Sequence, residues 1–167
     1  MAELTVREAT ADDAAAIARI YNEGIEDRLA TLETTPRSAD ERRGWLAARS
    51  ERHPVLVAVS SDGDEVVGWA SLNQFNQRPA YDHVADFSVY VDRAARGVGV
   101  GGVLLRALED RAKWIGYHKL VLAAFPTNSA GMRLYQSRGF EIVGTYHEQG
   151  MLDGKWIDVI LMEKILR

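Results

Sequence analysis

The sequence predicts a mixed α/β sheet, and three observations carry that prediction. Short apolar strands with hairpin chemistry come early, a strand–helix–strand pattern occupies the middle, and strands return at the end. The chain of 167 residues fits one domain spanning 1–167. A domain of that size buries roughly 70% of the surface its unfolded chain exposes, so one ordinary core suffices. No internal repeat, low-complexity tract or run of like charge interrupts it, and its prolines and glycines are scattered rather than gathered into a linker.

Leu4-Thr5-Val6-Arg7 alternates as a short strand. Thr10 followed by Asp12 and Asp13 reads as a helix start with acids in its first turn, and Ile17, Ile20 and Tyr21 then share one helical face. Ser38 with Glu41 makes a capping-box pattern ahead of a second helix through Trp45 and Leu46, expected to end near His53-Pro54. Pro54 to Ser60 and Glu65 to Leu72 read as strands joined by Ser61-Asp62-Gly63-Asp64, whose Asp-Gly step favours a tight antiparallel turn. A third strand covers Ala85 to Val91. Leu104, Leu108, Ala112 and Ile115 recur at helical spacing within Val103 to Ile115, whereas Leu120 to Phe125 is short and nearly all apolar, as in a strand buried on both faces. Asn128 to Ser137 makes a further helix, closed by Gly139 in the position favoured after a helix end. Phe140 to Tyr146 and Ile157 to Ile165 are the last strands.

A formal net charge of -4 argues against a nucleic-acid backbone as main partner, because such binding relies on a basic field. The chain has no cysteine, which excludes disulfides, thiolate catalysis and thiolate metal ligation. Met1 to Arg7 contains Glu3 and no long apolar run, and later apolar stretches are too short or interrupted to cross a bilayer. These features predict a soluble cytoplasmic protein without membrane or nucleic-acid partners.

The segment richest in chemistry is Arg93-Ala94-Ala95-Arg96-Gly97-Val98-Gly99-Val100-Gly101-Gly102, between an apolar strand and an amphipathic helix. Its glycines let the backbone turn with amides exposed, and amides at a helix start attract anions through unpaired N–H groups and the helix dipole. Arg96 adds positive charge beside them, so a pyrophosphate is the natural guest. Gly97, Gly99 and Gly102 also satisfy Gly-x-Gly-x-x-Gly, yet a dinucleotide site expects an acid about 20 residues on. Here the next strand ends Leu122-Ala123-Ala124-Phe125-Pro126 without one. A Walker loop fails too, because no Gly-Lys-Ser/Thr follows.

Arg96, Gly99 and Gly101 match Gln/Arg-x-x-Gly-x-Gly/Ala, and the segment resembles the acetyl-CoA signature of the GCN5-related N-acetyltransferases. Ser88-Val89-Tyr90-Val91 before the turn, Asn128 after the next strand, and Tyr135 within Leu134-Tyr135-Gln136-Ser137-Arg138-Gly139-Phe140 sit where that family has counterparts. Ile20-Tyr21-Asn22, Arg78-Pro79-Ala80-Tyr81 and Gly150 through Asp158 extend the resemblance to the phosphinothricin, methionine-sulfoximine and arsinothricin N-acetyltransferase branch. The resemblance implies a twisted mixed sheet with helices on both faces, acetyl-CoA as co-substrate, and no metal. It implies that Val89, Tyr90 and Val91 receive the pantetheine arm as an added strand, while Gly97, Val98, Gly99, Val100, Gly101 and Gly102 hold the pyrophosphate. Asn128 would bind the cofactor arm, a role compatible with its ordinary use as a helix cap. Tyr135 would protonate the leaving thiolate.

A protonated amine cannot attack a thioester, so a base is needed. The branch usually places Glu on the strand before Ser/Thr-Val-Tyr-Val; this chain has Asp86 there, one methylene shorter, which favours a water relay. His83 is nearby and titrates near neutrality, making it a second candidate. The resemblance puts Arg78 and Tyr81 at the acceptor, where a guanidinium can hold a carboxylate or phosphinate through two parallel hydrogen bonds. Tyr21, Glu33 and Thr34 would wall the same pocket, and Arg93 reads as a solvated loop charge. The expected partners are a small amino-acid-like amine and a second copy of the chain. A polyamine, aminoglycoside or protein N-terminus as acceptor, and a noncatalytic acyl-CoA sensor, are the alternative readings; the pairing of Asp86 with Tyr135 favours the enzyme.

Overall fold

The computed structural model describes residues 3–167; Met1 and Ala2, part of the segment read for targeting signals, lie outside the described residues. Strands β1 (Leu4–Glu8), β2 (Val55–Ser60), β3 (Glu65–Gln74), β4 (Val84–Val91), β5 (Lys119–Ala124), β6 (Glu141–Leu152) and β7 (Lys155–Ile165) form a seven-stranded sheet in the order β1-β2-β3-β4-β5-β7-β6. Every neighbouring pair is antiparallel except β4 and β5, which run parallel. The helices are α1 (Ala14–Asp27), α2 (Ala39–Ala47), α3 (Val100–Ile115) and α4 (Ser129–Ser137).

Each start signal operates. Thr10 N–H donates to Asp13 Oδ2 at 2.7 Å while the Arg7 guanidinium grips the same carboxylate at 2.8 and 3.0 Å. A short 3-10 turn at Ala11–Asp13 leads into α1. Ser38 Oγ accepts from Glu41 N–H at 3.1 Å and begins α2. Gly139, at φ 90, follows the end of α4 in the left-handed conformation that glycine adopts freely.

Two cores sandwich the sheet. On one face Leu104, Leu105 and Leu108 of α3 pack on Leu56, Ala70, Leu72 and Phe87; on the other, Ile17, Ile20 and Tyr21 of α1 pack on Val55, Val57 and Trp69. Glu109 of α3, almost fully buried, is satisfied by Arg138 Nε at 2.7 Å and by the Lys164 ammonium, which ties α3 to the end of α4 and to β7.

Three expectations are corrected. The second helix stops at Ala47 rather than near His53, because the chain reverses through a turn closed by His53 N–H on Ser50 O at 3.0 Å to bring Val55 into register with Ser71. β5 is buried on one face only: Leu120, Leu122 and Ala124 are covered, but Ala123 is exposed. The α3 core reaches β5, whereas the α1 core ends at Tyr90 of β4. The closing hairpin is also longer than expected, with β6 continuing to Leu152 past irregularities at Ile142/Gly144 and Tyr146/Gly150. The overlooked signal is Asp153-Gly154, both at positive φ, a two-residue turn between Leu152 and Lys155.

Candidate active site

The parallel pair pairs only briefly. Val84, Ala85 and Asp86 match Lys119, Leu120 and Val121, after which β4 runs on to Val91 and β5 to Ala124 without further pairing. The main-chain groups of β4 on that side, from Phe87 onward, therefore have no strand partner. A buried backbone group left unpaired is costly, so this edge suits an extended ligand that supplies the missing hydrogen bonds.

The fork opens into a cleft of about 290 Å³. Val89, Tyr90 and Val91 form its floor, Arg96, Gly97, Gly99, Val100, Gly101 and Gly102 its far end, and Asn128 and Tyr135 its α4 wall. Gly97 and Gly99 have φ of 82 and 95, and no heavy atom lies within 4 Å of where a Cβ would project from either. Open space thus faces the N–H groups at the start of α3, the geometry an anion needs. Gly101 answers a different demand: a Cβ there would approach Leu134 Cδ2 to 3.0 Å, so its smallness lets α4 close on α3. The Val98 side chain is 62% exposed and outside the cleft, and Val100 is buried in the α3 core as well as bordering it.

Arg96 reaches the cleft while its guanidinium pairs with Asp27 Oδ2 at 2.6 Å. Arg93, expected as a solvated charge, binds the same Asp27 at 2.9 and 3.0 Å and Glu26 at 2.9 Å. These pairs lock the end of α1 to the glycine turn, and the two guanidiniums hold the Asp27 carboxyl below its usual range. Asn128 caps α4, its Oδ1 accepting from Gly131 N–H at 3.0 Å, and lines the cleft as well.

Tyr135 packs edge-to-face on Phe87 and Phe140, with ring centroids 6.0 and 6.2 Å away, and burial pushes its hydroxyl up to about 12. Asp86 is half-buried at the fork, the last β4 residue paired with β5, and directly opposite Asn73 on β3. Burial pushes its carboxyl up to about 6, with the Asn73 amide pulling the other way. Asp86 stays ionised at neutral pH but can accept a proton there, and Tyr135 stays protonated, the two states a base and an acid require.

The remaining residues expected at the site lie around it. His83 is exposed before β4, its carbonyl taking the N–H groups of His118 and Lys119, and neither it nor Asp86 lines the cleft. Arg78 and Tyr81 are exposed in the β3–β4 connection, Tyr81 edge-on to Phe75 at 5.6 Å; this connection precedes β4, whereas the glycine turn follows it. The two ends stand about 23 Å apart along an eight-residue strand. Tyr21 is only 7% exposed and sits behind the floor, 5.1 Å from the Tyr90 ring. Glu33 and Thr34 are exposed in the α1–α2 connection. Sequence reasoning missed Leu29 and Ala30, which roof the cleft from that connection and carry no local signal. It also missed Gly24, where a Cβ would meet Tyr90 at 3.2 Å; a glycine inside a helical pattern is the sign of such a close approach. Among the described residues no cluster of ligating side chains suits a metal ion, and no helix is long and apolar enough to cross a membrane.

A mixed sheet forked between its parallel strands, with a turn at the start of α3 whose amides face the open end of the cleft, is the framework of a group-transfer enzyme for a long phosphorylated donor. Residues 16–140 match the Acetyltransferase (GNAT) family, and the chain belongs to it. It is 34% identical over 160 residues to the L-methionine sulfoximine/L-methionine sulfone acetyltransferase of Pseudomonas paraeruginosa, covering 95% of this chain and 92% of that one. Against the phosphinothricin N-acetyltransferase of Streptomyces coelicolor it is 32% identical, covering 99% and 98%. A crystal structure of a GNAT superfamily phosphinothricin acetyltransferase from Sinorhizobium meliloti in complex with AcCoA superposes with a TM-score of 0.89, at 30% identity and over 98% and 88% of the chains.

Proposed function

We propose that this chain transfers the acetyl group of acetyl-CoA to the primary amine of a small amino-acid-like acceptor such as phosphinothricin or methionine sulfoximine. The observation that carries the reading is the β4–β5 fork, whose cleft is lined by the glycine turn and by Tyr135 and which opens just beyond Asp86, the last β4 residue paired with β5. The named activities of the relatives support the acceptor class.

In this reading the amides from Gly97 to Gly102 and the Arg96 guanidinium bind the pyrophosphate. Val89, Tyr90 and Val91 take the pantetheine arm along the unpaired edge, and Asn128 steadies it with the amide group its cap leaves free. Acetyl-CoA supplies the activated acyl group. Asp86 removes a proton from the acceptor ammonium, through a water that makes up for its short side chain, and the freed amine attacks the thioester carbonyl. Tyr135 gives its proton to the departing thiolate. Arg78 and Tyr81, with Glu33, Thr34 and the buried Tyr21, orient an acceptor that carries a second acidic group. The chain acts as one cytoplasmic domain, paired with a second copy. Exposed Ile142, Tyr146, Met151 and Trp156 on β6 and β7, each more than half exposed, support that pairing.

The test is a panel of amines with acetyl-CoA, following released CoA thiol. Phosphinothricin, methionine sulfoximine and ordinary amino acids should turn over. Turnover confined to a polyamine, an aminoglycoside or an N-terminal peptide would move the acceptor, and silence across every amine would leave an acyl-CoA sensor.

A further inference from the structure

The Arg49 side chain leaves the segment after α2 and crosses to β3, where two of its three hydrogen bonds end. Nε donates to His53 O at 2.8 Å, and one terminal nitrogen donates to Leu72 O and, at 3.0 Å, to Asn73 Oδ1. A guanidinium has donors only. Its partner atom on Asn73 must therefore be the amide oxygen, which turns the Asn73 NH2 toward β4. There it donates to Ser88 Oγ at 3.4 Å, and Asp86 stands directly opposite Asn73 in the register. Without Arg49 nothing on this side distinguishes the two amide orientations, and the flipped one would point an oxygen at a carboxylate.

We propose that Arg49, acting through Asn73, is a positioning residue for Asp86: it locks the Asn73 amide so that an N–H donor, never a carbonyl oxygen, faces the catalytic carboxylate. The inference rests on Asp86 being the base. Arg49 is suited to the task because it makes no ion pair among the described residues, and burial next to Arg42 lowers it only to about 10, so it remains a charged donor at working pH. Asn73 from β3 and Ser88 from β4 share the face of Asp86, and behind Asn73 lies Arg49, which is bonded in turn to His53 O. Beyond Val121 on β5 lie Lys119 and Glu163, bonded to each other at 2.7 Å. Among these, Asn73 alone pulls the Asp86 carboxyl down against the effect of burial.

The pH profile of kcat/KM reads the proposal, because its acidic limb reports the base of the free enzyme. Removing the donor disfavours the carboxylate form, so the limb should move up by about one pH unit in Asn73→Ala. Arg49→Gln should move it in the same direction, the double variant should move it no further than Asn73→Ala alone, and Arg49→Lys should restore part of the difference. Arg42→Gln is the control: its guanidinium also lies against the Trp45 ring, at 4.5 Å beside Arg49 at 4.4 Å, without touching Asn73. It should lower the melting temperature and leave the limb in place. If Arg49→Gln and Arg49→Lys melt lower but keep the wild-type limb, Arg49 is only a stitch between α2 and β3 and the proposal is overturned. A limb that shifts equally in Arg42→Gln overturns it as well. Should Asp86→Asn retain the wild-type limb, the base assignment itself fails and the positioning role falls with it.

Discussion

Asp86 and Tyr135 stand on opposite faces of β4. Tyr135 packs on Phe87 from the α3 side, whereas Asp86, one residue earlier, shares the α1 side with Trp69 and Tyr90. In the proposed reaction both serve one centre, because the sheet is split at that point: Asp86 is the last paired residue before the fork and Phe87 the first beyond it. The amine can approach from one face and the thiolate leave toward the other.

Because the fork separates the two roles, their losses should look different. A positioned acid or base contributes about 10²–10⁴-fold, so Asp86→Asn should cut turnover by that order while acetyl-CoA still binds. Raising the pH should partly rescue it by supplying free amine, whereas Tyr135→Phe, lacking a donor, should show no rescue. In the wild type, turnover should fall as pH drops through about 6, where the Asp86 carboxyl takes up a proton. His83→Ala is the control; if it loses activity while Asp86→Asn keeps wild-type rates at every pH, His83 is the base.

The same carboxyl should cost stability. Its folded value of about 6 lies above the unfolded one, so the folded state holds the extra proton between them and loses stability as pH rises through that window. At pH 8 Asp86→Asn should melt several degrees above the wild type, from a difference on the order of 2 kcal/mol. The gain should vanish near pH 4. Thermal melts of both proteins across pH check this, and an equal or lower melting temperature at pH 8 would show that the carboxylate is better solvated than its burial indicates.

Gly99 should be irreplaceable by a branched residue. At φ 95 a Cβ costs about 1–2 kcal/mol in the backbone alone, and it would fill the space in front of the α3 amides. Calorimetry should show acetyl-CoA affinity for Gly99→Val lowered tenfold or more; unchanged affinity in a folded variant would refute the pyrophosphate assignment.

Arg78 lies in the β3–β4 connection, at the opposite end of β4 from the glycine turn and where the proposed acceptor would sit. Arg78→Ala should raise the KM of an acidic amino-acid acceptor at least tenfold and leave that of acetyl-CoA nearly unchanged. If both rise together, the arginine shapes the β3–β4 connection rather than the acceptor's binding.

Local chemistry was legible from the residues themselves. The periodicity of Leu104, Leu108 and Ala112, the caps at Thr10 and Ser38 and the Asp62-Gly63 step act within a few residues, so a short window of sequence contains their cause. The glycine turn was legible for the same reason, since a positive φ and exposed helix-start amides are backbone demands that residue type alone can meet. The fork was not. It depends on where β4 stops pairing with a strand more than thirty residues away, and register between distant strands is set by which faces find cover, not by any one segment. The roofing of the cleft by Leu29 and Ala30, the grip of Asp27 on Arg93 and Arg96, and the reach of Arg49 to Asn73 were decided the same way, by helices docking across a sheet. Sequence determined which backbone could bind a phosphate, but only tertiary packing decided which carboxylate would stand at the fork and how raised its proton affinity would be, because burial is a property of the assembled core.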